Sequence, residues 1–267
     1  MHTAMKRFAL SAFLTFVMVV GISHPLNLAK ISLKTIVIDP GHGGKDPGCI
    51  SYGKDVYEKD ICLSIAKKLG KLIKDSLPEV KVIYTRTTDA FIPLWQRAAV
   101  ANKNNADLFI SVHCNAHQNS GFHGSETYVM GLHKTAGNLA VSKRENQAVV
   151  LEEDYDKNEA YEGFNPNSEE AHIILSLYQS AYRNQSLQLA ANLQSTVEKE
   201  KIRKNLGVKE AGFLVLWKTA MPSVLVESGF LTNPDDKKFL ISGAGQDKMA
   251  QSILESIQTY KTQLEKK

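Results

Sequence analysis

Short β-branched runs alternate with longer amphipathic stretches along this chain, and that alternation restricts its fold more than any other feature of the sequence. Thr35, Ile36, Val37, Ile38 and Asp39 form an apolar run stopped by Pro40 and Gly41, as expected of a strand buried on both faces. From Glu58 to about Ser76, apolar residues recur at Ile61, Ile65, Leu69, Leu72 and Ile73, one stripe of a helix that Leu77 and Pro78 end. Residues 80–84 read as a second strand, and Pro93 opens a second helix through Trp95, Ala98, Ala99 and Ala101. Residues 108–112 and 124–130 read as further strands, and helical patterns fill roughly 138–150 and 173–203. Residues 213–217 and 223–226 look like two more strands, with a closing helix over about 246–264. Strands separated by helices make a single α/β domain with a twisted, mostly parallel sheet of about six strands and helices on both faces.

Composition excludes several classes of function. Of the 267 residues, 43% are hydrophobic and 22% charged, which sets disordered and fibrous chains aside. A net charge of +4 is too small for a surface built to hold nucleic acid. Three cysteines, Cys49, Cys62 and Cys114, cannot make a disulfide framework. At the start, Lys6 and Arg7 precede an uncharged apolar run over residues 8–22, shorter than the roughly 20 residues of a membrane span. With Gly21 and Ser23 as small residues before a cleavage point, residues 1–23 read as a secretory signal, the alternative being an uncleaved anchor. Residues 24–34 would then be a short N-terminal segment before a catalytic domain over 35–265, in an exported protein of the periplasm or cell envelope. A monomer is expected.

Ligands of an open parallel sheet collect at the carboxyl ends of its strands. His42 follows the first strand and His113 the third, Glu227 follows the last, and Glu58 starts the helix that returns from the first. Two imidazoles and a carboxylate are a donor set for a catalytic zinc with one position left for water, and calcium or magnesium would prefer oxygen alone. Glycines around His42 would let the backbone approach a ligand closely. On the residues alone, His42 could equally be a turn residue and His113 a hydrogen-bonded strand-end histidine. Arg86, Arg97 and Asn102 are expected to tie helix to strand. His117, His123 and His133 read as surface histidines, Lys209 as a solvated lysine, and Cys114 as packing.

In sequence, residues 38–44 (Ile-Asp-Pro-Gly-His-Gly-Gly), 58–60 (Glu-Lys-Asp), 111–116 (Ser-Val-His-Cys-Asn-Ala) and 225–231 (Leu-Val-Glu-Ser-Gly-Phe-Leu) closely resemble the zinc-dependent N-acetylmuramoyl-L-alanine amidases of bacterial cell-wall hydrolysis, the cell-separation group in particular. The resemblance runs from about Thr35 to Tyr260. It implies one zinc bound by His42, Glu58 and His113, with Glu227 as the catalytic carboxylate. It also implies peptidoglycan as substrate, cut between N-acetylmuramic acid and the L-alanine of the stem peptide. A zinc peptidase acting on stem peptides and a non-catalytic peptidoglycan-binding module are the competing readings.

One stretch departs from the rest. Residues 145–170 hold nine acids against one base, Lys157, with Gly163, Pro166 and Asn167 as turn formers. It reads as an insertion over about 145–171, exposed or loosely docked, with a solvated acidic loop as the plain alternative. By the same resemblance, a glutamate here blocks the zinc until an activator protein pulls the segment away. Glu145, between Arg144 and Asn146, matches it best, with Glu152 and Glu153 behind it.

Overall fold

The computed structural model describes residues 32–178 and 181–266. The residues read as a signal, 1–23, lie outside them. No helix among the described residues is long and apolar enough to cross a membrane.

The elements run β1 (Thr35–Pro40), α1 (Glu58–Ser76), β2 (Lys81–Tyr84), α2 (Leu94–Lys103), β3 (Leu108–Asn115), β4 (Ser125–Met130), α3 (Ala136–Asn146), α4 (Glu169–Leu177), α5 (Arg183–Lys199), β5 (Asn205–Ala211), α6 (Leu214–Trp217), β6 (Ser223–Phe230), α7 (Pro234–Ile241) and α8 (Gly243–Glu265). Six strands form one sheet in the order β2-β1-β3-β6-β4-β5. The block β2-β1-β3-β6 is parallel, β4 runs antiparallel to β6, and β5 lies parallel to β4. The expected mostly parallel α/β sheet is the one observed.

The period of two along the strands sorts side chains onto two cores. Ile36 and Ile38 of β1, Leu108, Ile110 and Val112 of β3, and Val224 and Val226 of β6 pack against α1, α5 and α8. Val37, Phe109 and Leu225 point the other way, towards α2 and α6. On that second face each strand is apolar near its start and polar near its end. Val37 is followed by Asp39, Phe109 by Ser111 and His113, and Leu225 by Glu227. Parallel register then sets Asp39 beside Ser111 and His113 beside Glu227. The strand ends therefore deliver a row of polar groups to one edge of a sheet whose remainder is apolar.

Two expectations are corrected, and one strand is added that the sequence reading does not contain. Residues 213–217 are not a strand: Leu214–Trp217 forms the single helical turn α6, because a short apolar run has no period that separates strand from helix. The edge strand is instead β5, whose half-buried sequence Asn-Leu-Gly-Val-Lys-Glu-Ala lacks an apolar signature. Nor is the acidic insertion loose. Val149 and Tyr161 are buried in the second core, beside Phe213 and Leu214. Glu152 accepts the Leu94 backbone N–H at 2.8 Å, and the Tyr161 hydroxyl accepts that of Trp95 at 3.1 Å. Pro93 offers α2 no side-chain cap, so the insertion supplies partners for N–H groups that a helix start leaves open.

Candidate metal centre

β1 ends in Pro40, and the next residues must turn sharply to bring His42 back over the sheet. His42 itself has φ +58°, a conformation that costs a non-glycine residue energy. The turn is pinned by two buried arginines. Arg86 donates to the carbonyls of Pro40 and Gly41 at 3.0 and 2.6 Å. Arg97 donates to the Pro40 and His42 carbonyls, each at 2.9 Å, and pairs with Asp39 at 2.9 Å. Burial would raise the Asp39 carboxyl, but Arg97 and the hydroxyls of Thr85 and Ser111 hold it below its ordinary value. Arg97 thus ties α2 to β1 as expected, whereas Asn102 ties α2 to the end of α6 through the Lys218 carbonyl. Two glycines have no substitute here. A Cβ at Gly41 would lie 2.4 Å from the His113 ring, and one at Gly48 (φ +67°) would lie 2.6 Å from His42 and 2.7 Å from Glu58.

Glu58 opens α1 on the same edge, where a carboxylate suits the positive end of the helix dipole. It is fully buried, and its two oxygens accept the backbone N–H groups of Cys49 and Cys114 at 2.7 and 2.8 Å. Asp46 holds His42 Nδ1 at 2.8 Å, which turns Nε2 inward. His42 Nε2 lies 3.0 Å from Glu58 Oε1, and His113 Nδ1 lies 3.1 Å from the same oxygen. The fourth member is Glu145, near the end of α3. Its Oε2 lies 3.2 Å from His42 Nε2 and 3.1 Å from His113 Nδ1. One donor atom from each of His42, Glu58, His113 and Glu145 falls within 4.8 Å of the other three, and all four residues are buried.

The electrostatics fit a cation. Burial would strip the two rings of charge, yet Glu58 beside His42 holds it well above its usual range, and Glu145 pushes His113 up to about 10. Burial also opposes ionised carboxyls, but His42 holds Glu58 low and Arg144 holds Glu145 low. Two carboxylates and two imidazoles thus meet at one buried point. His42 Nε2 and Glu145 Oε2 are buried there without a hydrogen-bond partner, as atoms that serve a metal would be. Imidazole nitrogen mixed with carboxylate is the chemistry of a zinc shell rather than of calcium or magnesium.

Glu227 stands beside His113 in register on β6, fully buried, and neither of its oxygens has a hydrogen-bond partner. Burial, reinforced by the charge of Glu145, pushes its carboxyl well above the ordinary value. Arg144 Nη2 lies 3.6 Å from Glu227 Oε1. The same guanidinium reaches Glu145 at 2.9 Å.

All five residues singled out in the sequence, His42, Glu58, His113, Glu145 and Glu227, come together. Sequence reasoning missed Asp46, Asn115 and Arg144. Asp46 follows His42 by four and Asn115 follows His113 by two, but neither spacing shows that the backbone bends them back. Lys209 is corrected: it turns inward to pair with buried Glu126, whose neighbours are Asn115 and Tyr128. His117, His123 and His133 stay away from the cluster, bonded to Asn119, Gly121 and Ser176.

Comparison with known proteins agrees with this geometry. A family model described as N-acetylmuramoyl-L-alanine amidase matches residues 36–259. The chain is 30% identical over 244 residues to N-acetylmuramoyl-L-alanine amidase AmiA of Escherichia coli, covering 90% of this chain and 80% of that one. A crystal structure of N-acetylmuramoyl-L-alanine amidase from Clostridium difficile 630 superposes with a TM-score of 0.63 at 29% identity, covering 86% of this chain and 97% of that one. The CwlD amidase from Clostridioides difficile, solved in complex with the GerS lipoprotein, superposes with a TM-score of 0.62 at 26% identity, covering 85% and 98%.

Proposed function

This chain belongs to the N-acetylmuramoyl-L-alanine amidase family, and on that premise we propose that it is held inactive by its own Glu145 while His42, Glu58 and His113 bind one zinc. As a member of the family it is a peptidoglycan hydrolase, cleaving the amide between N-acetylmuramic acid and L-alanine. The observation that carries the reading is the convergence of four buried donors beside an unpartnered Glu227.

Zinc in that site would act as a Lewis acid and lower the pKa of a coordinated water from 15.7 to about 7. The chain's own residues do the rest. Asp46, on the far nitrogen of His42, fixes the ring's tautomer and aim. The Cys49 and Cys114 amides hold the Glu58 carboxylate in place. Glu227 takes a proton from the attacking water and returns it to the departing nitrogen, which must be protonated to leave as an amine. Its dry setting suits a group that gains and loses a proton in one turnover.

Glu145 lies where the substrate's carbonyl or the attacking water must come, so the resting chain is closed. The helix that follows the insertion exposes an apolar surface: Ile174 and Leu177 of α4 are 57% and 60% exposed, with Tyr178 beside them. That surface is a handle by which an activator protein could draw the insertion off. Residues 1–23 would export the chain to the periplasm or cell envelope, for wall remodelling and daughter-cell separation.

Digestion of purified peptidoglycan by Glu145→Ala, the chain with its block removed, tests the reading. The expected products are stem peptides with a free N-terminal alanine and glycan strands bearing free lactyl carboxylates. New termini within the stem peptide would replace the amidase with a peptidase.

A further inference from the structure

Hydrolysis of the muramoyl–alanine amide breaks the C–N bond and passes the water oxygen to the carbonyl carbon. It leaves a lactyl carboxylate and an alanine ammonium that has taken both water protons. Neighbouring side chains of the insertion set the same two charges into the site. Glu145 Oε2 faces His42 Nε2 and His113 Nδ1 as a carboxylate product would face a metal. Arg144 Nη2 stands 2.9 Å from the other Glu145 oxygen and 3.6 Å from Glu227 Oε1. The same nitrogen donates to Asn115 Oδ1 at 3.0 Å, and Nη1 donates to the Ala116 carbonyl at 3.1 Å.

Resting on the amidase reading, we propose that Arg144 occupies the subsite of the leaving amine, and that Asn115 Oδ1 and the Ala116 carbonyl accept the N–H groups of the stem peptide's N-terminal L-alanine beside Glu227. The structure prepares Asn115 for that task. Its Nδ2 donates to Glu126 Oε1 at 2.6 Å, and its Oδ1 also accepts the Ala116 N–H at 2.8 Å. Glu126 is itself gripped by Lys209 and by the Tyr128 hydroxyl. The amide therefore cannot flip without placing two acceptors face to face, and its oxygen is fixed towards the position Arg144 holds. Asn115 is a substrate-binding residue on this account, and Arg144 is a stand-in for product. An open groove lined by Tyr52, Ala116, His117, Ala140, Arg144 and Thr232 leads away from that position. It gives the peptide a course outward while its amino end lies at Glu227.

The test uses the zinc-loaded full chain, wild type and Arg144→Ala, titrated by calorimetry with the dipeptide L-alanyl-D-glutamate and its N-acetylated form. The Arg144 side chain is a third exposed, and a thermal melt checks that the variant is folded. Arg144→Ala is expected to bind the free-amine dipeptide about tenfold more tightly than wild type. The acetylated dipeptide should gain nothing, and adding Asn115→Ala should erase the preference for the amine. Equal binding of the two dipeptides to folded Arg144→Ala would overturn the subsite, as would binding no tighter than that of wild type. Peptide release from peptidoglycan is followed in parallel with Glu145→Ala, in which the blocking carboxylate is gone. Release without amine preference removes the subsite and leaves the amidase; amine preference without release does the reverse.

Discussion

His113 and Glu145 approach to 3.1 Å, yet they belong to regions held in different ways. His113 sits on β3, every residue of which is buried and which is hydrogen-bonded to β1 on one side and β6 on the other. Each buried Val, Leu or Ile there contributes about 1.5–3 kcal/mol, so His113 cannot leave without the sheet coming apart. Glu145 ends a helix followed by short 3-10 turns over residues 147–161, with Glu153, Asp154 and Asp156 in solvent. That stretch is tied down by named contacts: Glu152 and Tyr161 on the start of α2, and Asn146 on Gly212 and Leu214. The contrast teaches that folding fixes three of the donors, while the fourth is held by a few polar bonds and a small apolar contact. The proposed function, in which the chain keeps a metal and surrenders a block, calls for that difference in stability between neighbouring regions.

The largest expected effect comes from breaking the rigid side. His113→Ala should lose stoichiometric zinc and with it all measurable hydrolysis, since it leaves a single imidazole beside the carboxylates of Glu58 and Glu145. Metal analysis of the purified variant decides it, and full zinc occupancy would remove His113 from the shell. Next, Glu227→Gln should keep zinc and fold but lose about 10²–10⁴-fold in turnover, the usual contribution of a general base. Stem-peptide release at the wild-type rate would take that role from Glu227.

The movable side should respond in the opposite direction. Glu145→Ala removes a charge-assisted contact of about 1.5–3 kcal/mol, so hydrolysis without any partner protein should rise about 10- to 150-fold. An unchanged rate, with zinc and fold intact, would mean that Glu145 does not restrain the enzyme. The smallest effect sharpens the comparison most. Tyr161→Phe deletes the hydroxyl that donates to Glu152 at 2.6 Å and accepts from Trp95, at a cost of about 1–3 kcal/mol. Hydrogen exchange should then speed up over residues 147–161 and leave β3 protected. Equal loss of protection in both regions would show that they open as one unit.

Much of the framework was legible beforehand because it depends on local period. β-branched runs and a 3.6-residue stripe mark strands and helices by themselves, and the carboxyl-edge rule then gathered His42, Glu58, His113 and Glu227 from positions up to 185 residues apart. Where local period is weak, the reading failed: β5 has no apolar alternation, and α6 is too short to show any. The acidic composition of the insertion hid its docking, because Glu152 and Tyr161 are held by the uncapped start of a helix some 60 residues earlier in the chain.

The sequence by itself thus determined the order of elements, the parallel sheet and the residue types at its polar edge. Each of these follows from side-chain chemistry repeated at short range. Only the tertiary structure decided that Asp46 steadies His42, that Arg144 bridges Glu145 and Glu227, and that Asn115 presents an oxygen to it. Those contacts depend on sub-ångström placement of backbone turns such as the φ +58° bend at His42, and packing across the whole sheet sets them where no spacing in the chain records them.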